Sequence, residues 1–391
     1  MNDPDWLVEA IQRRREQGLE RVLQRLPAVG GVLHLSGRRY LNFASNDYLD
    51  LSRDERVIEG AAAALRTYGA GATASRLMTG NLDVTEELEA ALARHKGYPS
   101  SLVFGSGYLS NLGVITGCIG KKDVAIVDRL VHACVLDGVQ LSGARLVRFH
   151  HNDTDHLQKQ LARHRGQGRC LVVTESLFSM DGDLAPLSEM VGLTEKHDAL
   201  LLVDEAHATG VFGPAGGGRV AELGLQDRVP LCMATLSKGL GNYGGFVACS
   251  TPWRHSLIQT ARSLIYTTAL PPAVLGGALA ALNVLQEEPG RGQRLLDHAS
   301  FFRDELQKAG LDTGRSESQI VPVHIGDNHT ALTVSERLAD EGILAVAIRP
   351  PTVPPTTARL RLSVTLAHTE EDLRVAAALV ARVVDAARPA A

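Results

Sequence analysis

Two short segments carry side chains whose types and order suit covalent chemistry. Asp204-Glu205-Ala206-His207 follows an apolar run over 200–203, and Thr235-Leu236-Ser237-Lys238-Gly239 follows another over 230–234. An acid at the C-terminal end of a strand points into the crevice where open α/β sheets bind ligands. A lysine at a similar strand end is placed to trap a carbonyl carbon as a Schiff base. Each also has a plainer reading on its own, Asp204 as a helix cap and Lys238 as a surface lysine. A third segment, Ser106-Gly107-Tyr108-Leu109-Ser110-Asn111, is a glycine turn leading into a helix, whose first N–H groups could hold a phosphate. A fourth, Asp128-Arg129-Leu130-Val131-His132, again follows an apolar strand pattern. In one site these parts supply an aldehyde trap, an acid that keeps a ring nitrogen protonated, a phosphate cradle and a ring stacker. Those are the needs of pyridoxal 5'-phosphate.

Other patterns carry less. Gly239-Leu240-Gly241-Asn242-Tyr243-Gly244 matches the spacing of a dinucleotide fingerprint, but it runs on into the strand-like Gly245-Phe246-Val247-Ala248-Cys249 where that fingerprint needs a helix. His150, His151, Asp153, Asp155 and His156 crowd into seven residues and could suggest a metal site. Their place between a strand and an amphipathic helix favours turn and cap roles, so no metal is expected. Gly120-Lys121-Lys122 lacks the remainder of a Walker loop.

The elements that must position these residues follow from the hydrophobic pattern. Strands are expected over 101–104, 123–127, 145–149, 170–174, 200–204, 230–235 and 245–250. Helices over 153–164 and 186–197 separate some of them. The runs are not strictly alternating, as in strands buried on both faces of a mostly parallel sheet. After about residue 285 the texture changes, and Gly290-Arg291-Gly292 reads as a break. A helix over 294–309, short strands over 320–325, 344–348 and 360–364, and a last helix opened by the pair Thr369 and Asp372 are expected beyond it. The chain thus divides into an N-terminal arm (1–45) with a basic amphipathic helix, a large α/β domain (46–285) and a smaller α+β domain (286–391).

The 391 residues are 45% hydrophobic and 21% charged, with a net charge of −4. That excludes a disordered chain and argues against bulk nucleic-acid binding. No apolar run approaches the length of a membrane helix, and the acidic residues Asp3, Asp5 and Glu9 argue against a secretory leader. The five cysteines form no C-x-x-C pair and read as free thiols in a reducing, cytoplasmic setting.

Over essentially its whole length the sequence resembles the α-oxoamine synthases, a family of fold-type-I pyridoxal-phosphate enzymes. The matching stretches cover 41–52 (LNFASNDYLDLS), 106–111 (SGYLSN), 128–133 (DRLVHA), 175–187 (ESLFSMDGDLAPL), 203–213, 235–245, 264–272 (LIYTTALPP) and 347–369. The resemblance implies an aspartate-aminotransferase-like large domain, a homodimer, and the joining of an amino acid to an acyl thioester with loss of CO2. Residues 347–354 (AIRPPTVP) are most similar to the biotin-pathway branch. That branch condenses L-alanine with a pimeloyl thioester on coenzyme A or on acyl carrier protein. A glycine- or serine-using branch is the alternative, and an aminotransferase, a lyase or a non-enzymatic regulator of the same fold stands further off.

Residue by residue, the resemblance implies that Lys238 forms the Schiff base, Asp204 pairs with the pyridine nitrogen, His207 hydrogen-bonds the ring hydroxyl and His132 stacks on the ring. Ser179 would lie by the cofactor oxygen, and Gly107, Tyr108 and Thr235 would line the cofactor and its phosphate. Thr267 and Thr268 would reach the phosphate from the other subunit. Asn46 and Arg349 would hold the amino-acid carboxylate, Arg21 and His132 would contact substrate, and Thr352 would lie beside the acyl chain. Three positions depart from the family: Asp50 where glycine is common, Thr85 where histidine is common, and Cys134 where serine is common.

Overall fold

The computed structural model describes residues 4–23, 25–26, 29–35 and 37–387. Apolar runs rich in valine and leucine form a seven-stranded sheet. Its order is Ser100–Phe104, Gly245–Cys249, Leu231–Thr235, Leu200–Asp204, Cys170–Glu175, Val124–Asp128 and Arg145–Phe149. Gly245–Cys249 runs antiparallel to both neighbours, and every other adjacent pair is parallel. Val124–Asp128, Leu231–Thr235 and Gly245–Cys249 are buried at every residue, which is why their sequences do not alternate. The fold is therefore the mostly parallel, aspartate-aminotransferase-like sheet expected, with strand ends within one residue of expectation.

Asp128, Glu175, Asp204 and Thr235 are the last residues of four parallel strands. The strand ladder sets Glu175 directly beside Asp204. The helix Gly107–Cys118, capped by the Ser106 hydroxyl on the Leu109 N–H, packs with Val114, Ile115 and Cys118 into the core formed by Leu171, Val173 and Leu202. Burying such side chains contributes about 1.5–3 kcal/mol each and ties the helix to the sheet.

Two compact units make up the chain. The larger spans residues 46–179 and 183–296. The smaller gathers residues 1–45, 180–182 and 297–391. Within the smaller unit Ala358–Ser363 lies between Ile320–Gly326 and Val346–Ile348, antiparallel to both. A second small sheet joins Val32–Leu35, Arg38–Asn42 and Ile343–Leu344. Phe43 stacks on Phe302 and on His368, at 5.1 and 4.4 Å between ring centres. The basic helix Asp5–Glu16 buries none of its residues.

Three local expectations need correcting or are met in detail. The strand expected over 344–348 is two: Ile343–Leu344 pairs with Arg38–Asn42, while Val346–Ile348 pairs with Ala358–Ser363, so the chain changes sheets at Ala345. Gly292 does not break the chain but lies inside helix Arg291–Lys308; glycine stands there because a Cβ would meet the Val211 carbonyl oxygen at 2.1 Å. Thr369 and Asp372 do form the expected cap, each accepting the other's backbone N–H at 3.1 Å. All five cysteines are free, and no described helix is long and apolar enough to cross a membrane.

Candidate active site

The strand ends of the larger unit enclose an open cavity of about 590 Å³, lined among others by Gly107, His132, Asp204, His207, Thr235 and Lys238. Lys238 Nζ lies 2.7 Å from His207 Nε2, and His207 Nδ1 lies 2.6 Å from the Tyr48 hydroxyl. Tyr48 in turn donates to Asn46 Oδ1 at 3.2 Å. With its proton given to Asn46, the Tyr48 oxygen accepts from His207 Nδ1–H, leaving Nε2 to accept from Lys238.

Asp204 is 4% exposed. Its Oδ1 accepts the Ala206 N–H at 2.9 Å, and its Oδ2 accepts Asn111 Nδ2 at 2.8 Å. No salt bridge reaches it among the described residues. Both partners are neutral amides, so the carboxylate's charge is aimed at whatever cationic group enters the cavity.

His132 caps helix Ala133–Ser142 by accepting the Cys134 N–H on Nδ1 at 3.2 Å, and its own N–H donates to Glu175 Oε1 at 2.6 Å. Burial holds the imidazole below its ordinary pKa, with Asp204 opposing and Lys238 reinforcing. A neutral ring that accepts on Nδ1 carries its proton on Nε2. Glu175 is driven the other way. Burial, with Asp204 adjacent, pushes it up to about 8, so it is a neutral acid at pH 7; Lys238 and the N–H groups of His132 and Ser179 act against this.

Gly107 and Tyr108 open helix Gly107–Cys118, with Tyr108 half exposed and its hydroxyl on Asp137. A Cβ on Gly245 would meet the Gly107 nitrogen at 2.5 Å, so two glycines let backbone approach backbone at this helix start. The Thr235 hydroxyl donates to the Gly244 carbonyl at 2.7 Å and accepts the Ser237 N–H at 3.1 Å.

The other expected site residues lie elsewhere. Thr267 and Thr268 line a separate hollow with Arg76, Thr85 and Leu264, and Thr268 bridges to Ser75. Arg21, Arg349 and Thr352 belong to the smaller unit. There the Arg349 guanidinium donates to the Gly18 carbonyl. Burial, with Arg21 near, pulls its pKa below the ordinary value.

Tyr48, Asn111, Cys134 and Glu175 join the site without having been expected in it from the sequence. The signal for Glu175 was an acid directly after an expected strand. The departures from the family are accommodated. Asp50 sits at φ 54°, in the left-handed region that glycine favours and aspartate tolerates. The Thr85 hydroxyl is buried with no partner among the described residues. Cys134 Sγ lies 2.9 Å from His132 Nδ1 and accepts Asn111 Nδ2 at 3.1 Å, and burial pushes the thiol up to about 12.

A half-buried lysine, an acid with neutral partners, a helix start open to an anion and a flat imidazole, all at the ends of parallel strands, define a fold-type-I pyridoxal-phosphate site. Comparison with known proteins agrees. The model of the aminotransferase class I and II family matches residues 38–380. The 8-amino-7-oxononanoate synthase of Geobacter sulfurreducens is 45% identical over 376 residues, 95% of this chain and 96% of that protein. Among solved structures, a serine palmitoyltransferase from S. paucimobilis with a bound pyridoxal-phosphate–myriocin aldimine superposes with a TM-score of 0.92. It is 31% identical and covers 98% of each chain. The 8-amino-7-oxononanoate synthase of Francisella tularensis gives 0.77 at 28% identity, over 89% of this chain and 98% of that one. The chain belongs to the aminotransferase class I and II family. Its cofactor is pyridoxal phosphate, and the donor set of the cavity fits that group.

Proposed function

We propose that this chain is an 8-amino-7-oxononanoate synthase of biotin biosynthesis. It condenses L-alanine with a pimeloyl thioester, on coenzyme A or acyl carrier protein, to give 8-amino-7-oxononanoate, CO2 and the free thiol. The observation that carries this reading is the placement of Lys238, His207 and Asp204 in one cavity, in a chain that aligns with synthases of that name over nearly its full length.

When bound, pyridoxal phosphate supplies an electron sink that stabilises negative charge on the amino-acid Cα. The chain's own groups do the rest. Lys238 would hold the cofactor covalently and would move the proton at the amino-acid Cα. His207 Nε2, 2.7 Å from Nζ, orients that amino group. Asp204 keeps the ring nitrogen protonated. His132 stacks on the ring and presents Nε2–H to oxygen charge that develops on the thioester carbonyl. His207 and Ser179 hold the ring hydroxyl. Gly107, Tyr108 and Thr235 line the cofactor and its phosphate.

In this reading Asn46 and Arg349 fix the alanine carboxylate, a forked guanidinium being suited to that contact. Arg21 contacts substrate and Thr352 borders the acyl chain. Thr267 and Thr268 serve the phosphate of a partner subunit in a cytoplasmic homodimer. The large domain (46–285) holds the cofactor; Arg349 and Thr352 lie in the small domain (286–391) and Arg21 in the arm (1–45).

The likeness to serine palmitoyltransferase favours one second reading, a related synthase using serine or glycine. Thiol release from pimeloyl-CoA, followed with alanine, serine and glycine in turn, separates them. Alanine should lead by at least about tenfold, the discrimination one small group provides. Equal or greater turnover with serine or glycine would reverse the assignment.

A further inference from the structure

The histidine-rich turn over 150–156 does two separate things. Asp153 caps helix Thr154–His164 by accepting the His156 N–H at 2.8 Å, and His156 Nδ1 accepts the His150 N–H at 3.0 Å. His151 faces the other way. Its Nδ1 lies 3.0 and 3.2 Å from the two Asp128 oxygens, and its Nε2 lies 2.8 Å from Asp183 Oδ2. A neutral imidazole has one N–H, so only the imidazolium satisfies both carboxylates at once.

The surroundings are built to hold this arrangement. Asp128 is fully buried at the end of its strand and also accepts the N–H groups of Leu130 and Asn152 at 2.8 and 2.9 Å. The Asn152 amide donates to Asp183 Oδ2 at 3.0 Å and to the Leu184 carbonyl at 3.1 Å. Phe178 meets the His151 ring edge-on, with centres 4.3 Å apart. Burial alone would lower the imidazole's pKa. The two carboxylates, one from the strand and one from the 177–184 turn, overcome it and hold the ring at about 9.

Asp128 precedes His132 by four residues, and Asp183 follows Ser179 by four. These two segments are tied a second time by Glu175, which accepts backbone N–H groups from both His132 and Ser179. We propose that His151 is a positioning residue, an imidazolium clamp between Asp128 and Asp183 that seats the segments carrying His132 and Ser179. Its consequence for the cofactor rests on the roles proposed above for those two residues. The clamp itself does not, and neither depends on which amino acid the enzyme uses.

The sign of the pH effect follows. The folded-state pKa lies above the ordinary value near 6.5, so the clamp is fully formed below that pH and is lost as pH rises through about 9. The test uses the holoenzyme and His151→Gln. Histidine-selective NMR titration of the wild type should find one ring titrating near 9 that is missing from the variant. His151→Gln should weaken pyridoxal-phosphate affinity at pH 7 by about tenfold or more and lower kcat while leaving the alanine KM within about twofold. Wild-type cofactor affinity should fall through pH 9, and this arm stands even if the variant does not fold. A His151 pKa at or below 6.5 would overturn the clamp. A pKa near 9 with unchanged cofactor affinity and kcat in the variant would overturn its positioning role.

Discussion

Lys238 Nζ and His207 Nε2 stand 2.7 Å apart, at the ends of two hydrogen-bonded parallel strands. The contact is one step in a directed series through Tyr48 to Asn46. In this series His207 Nδ1–H is spent on Tyr48, so Nε2 remains an acceptor facing the lysine. An accepting nitrogen can orient the amine without competing for its lone pair.

Lys238→Ala should lower kcat by at least about 10³-fold, since it removes both the cofactor's covalent anchor and a general base. Borohydride reduction should leave the cofactor on the peptide containing Lys238 in the wild type and on none in the variant. Tyr48→Phe should cost less. It leaves His207 Nδ1–H without its acceptor, a loss of about 1–3 kcal/mol or up to roughly a hundredfold in rate. Unchanged rate in Tyr48→Phe would show that the series does not set the histidine tautomer.

Asp204→Asn nearly keeps the shape but removes the charge, and its single amide oxygen can accept from Ala206 or from Asn111, not from both as the carboxylate does. The rate should fall by about 10²–10³-fold, the range for loss of one preorganised electrostatic partner. Circular dichroism and the melting temperature should stay close to wild type. A variant of near-normal activity would refute the electron-sink role of Asp204.

Glu175→Gln should stay closest to wild type at pH 7, because a neutral acid and an amide both offer the His132 N–H an uncharged carbonyl acceptor. The two should diverge with pH. The folded-state pKa of Glu175, about 8, lies above the ordinary carboxyl value, so the folded protein binds the extra proton between them. Wild-type stability therefore loses ground to Glu175→Gln as pH rises from about 4.5 to 8. Parallel thermal-unfolding curves across that range would contradict the assignment.

Lys96 and Glu205 form a buried ion pair behind the site, at 1% and 0% side-chain exposure. Lys96 also donates to Thr209 at 3.1 Å, and Glu205 accepts the Val220 N–H at 2.8 Å, so the pair holds the turn that follows Asp204. Removing one partner strands the other's charge. Lys96→Met should cost about 3–5 kcal/mol in denaturant unfolding. Adding Glu205→Gln should cost much less than a second such loss. Strict additivity would show that the two do not interact.

The large sheet and its strand-end residues were legible because burial on both faces writes long apolar runs, and Asp204 and Lys238 stand at the ends of two of them. The cap of the last helix was legible for a similar reason, its signal being local to Thr369 and Asp372. Tyr48 and Asn111 were not legible. Their partners His207 and Asp204 are 159 and 93 residues away, and only the folded sheet brings them together. The helical start at Arg291 was hidden because Gly292 reads locally as a breaker. Its reason is tertiary, the approach of the Val211 carbonyl. His151 was read with its neighbours as part of one turn, yet its two carboxylates come from segments 23 and 32 residues away.

The central claim is a condensation that expels the amino-acid carboxyl. Its most direct measurement uses L-alanine labelled with ¹³C at the carboxyl carbon, pimeloyl-CoA and the holoenzyme, with mass spectrometry of both gas and product. The label should leave as CO2, and unlabelled 8-amino-7-oxononanoate should accumulate in step with free coenzyme A. Label retained in the product, or coenzyme A released without labelled CO2, would contradict it.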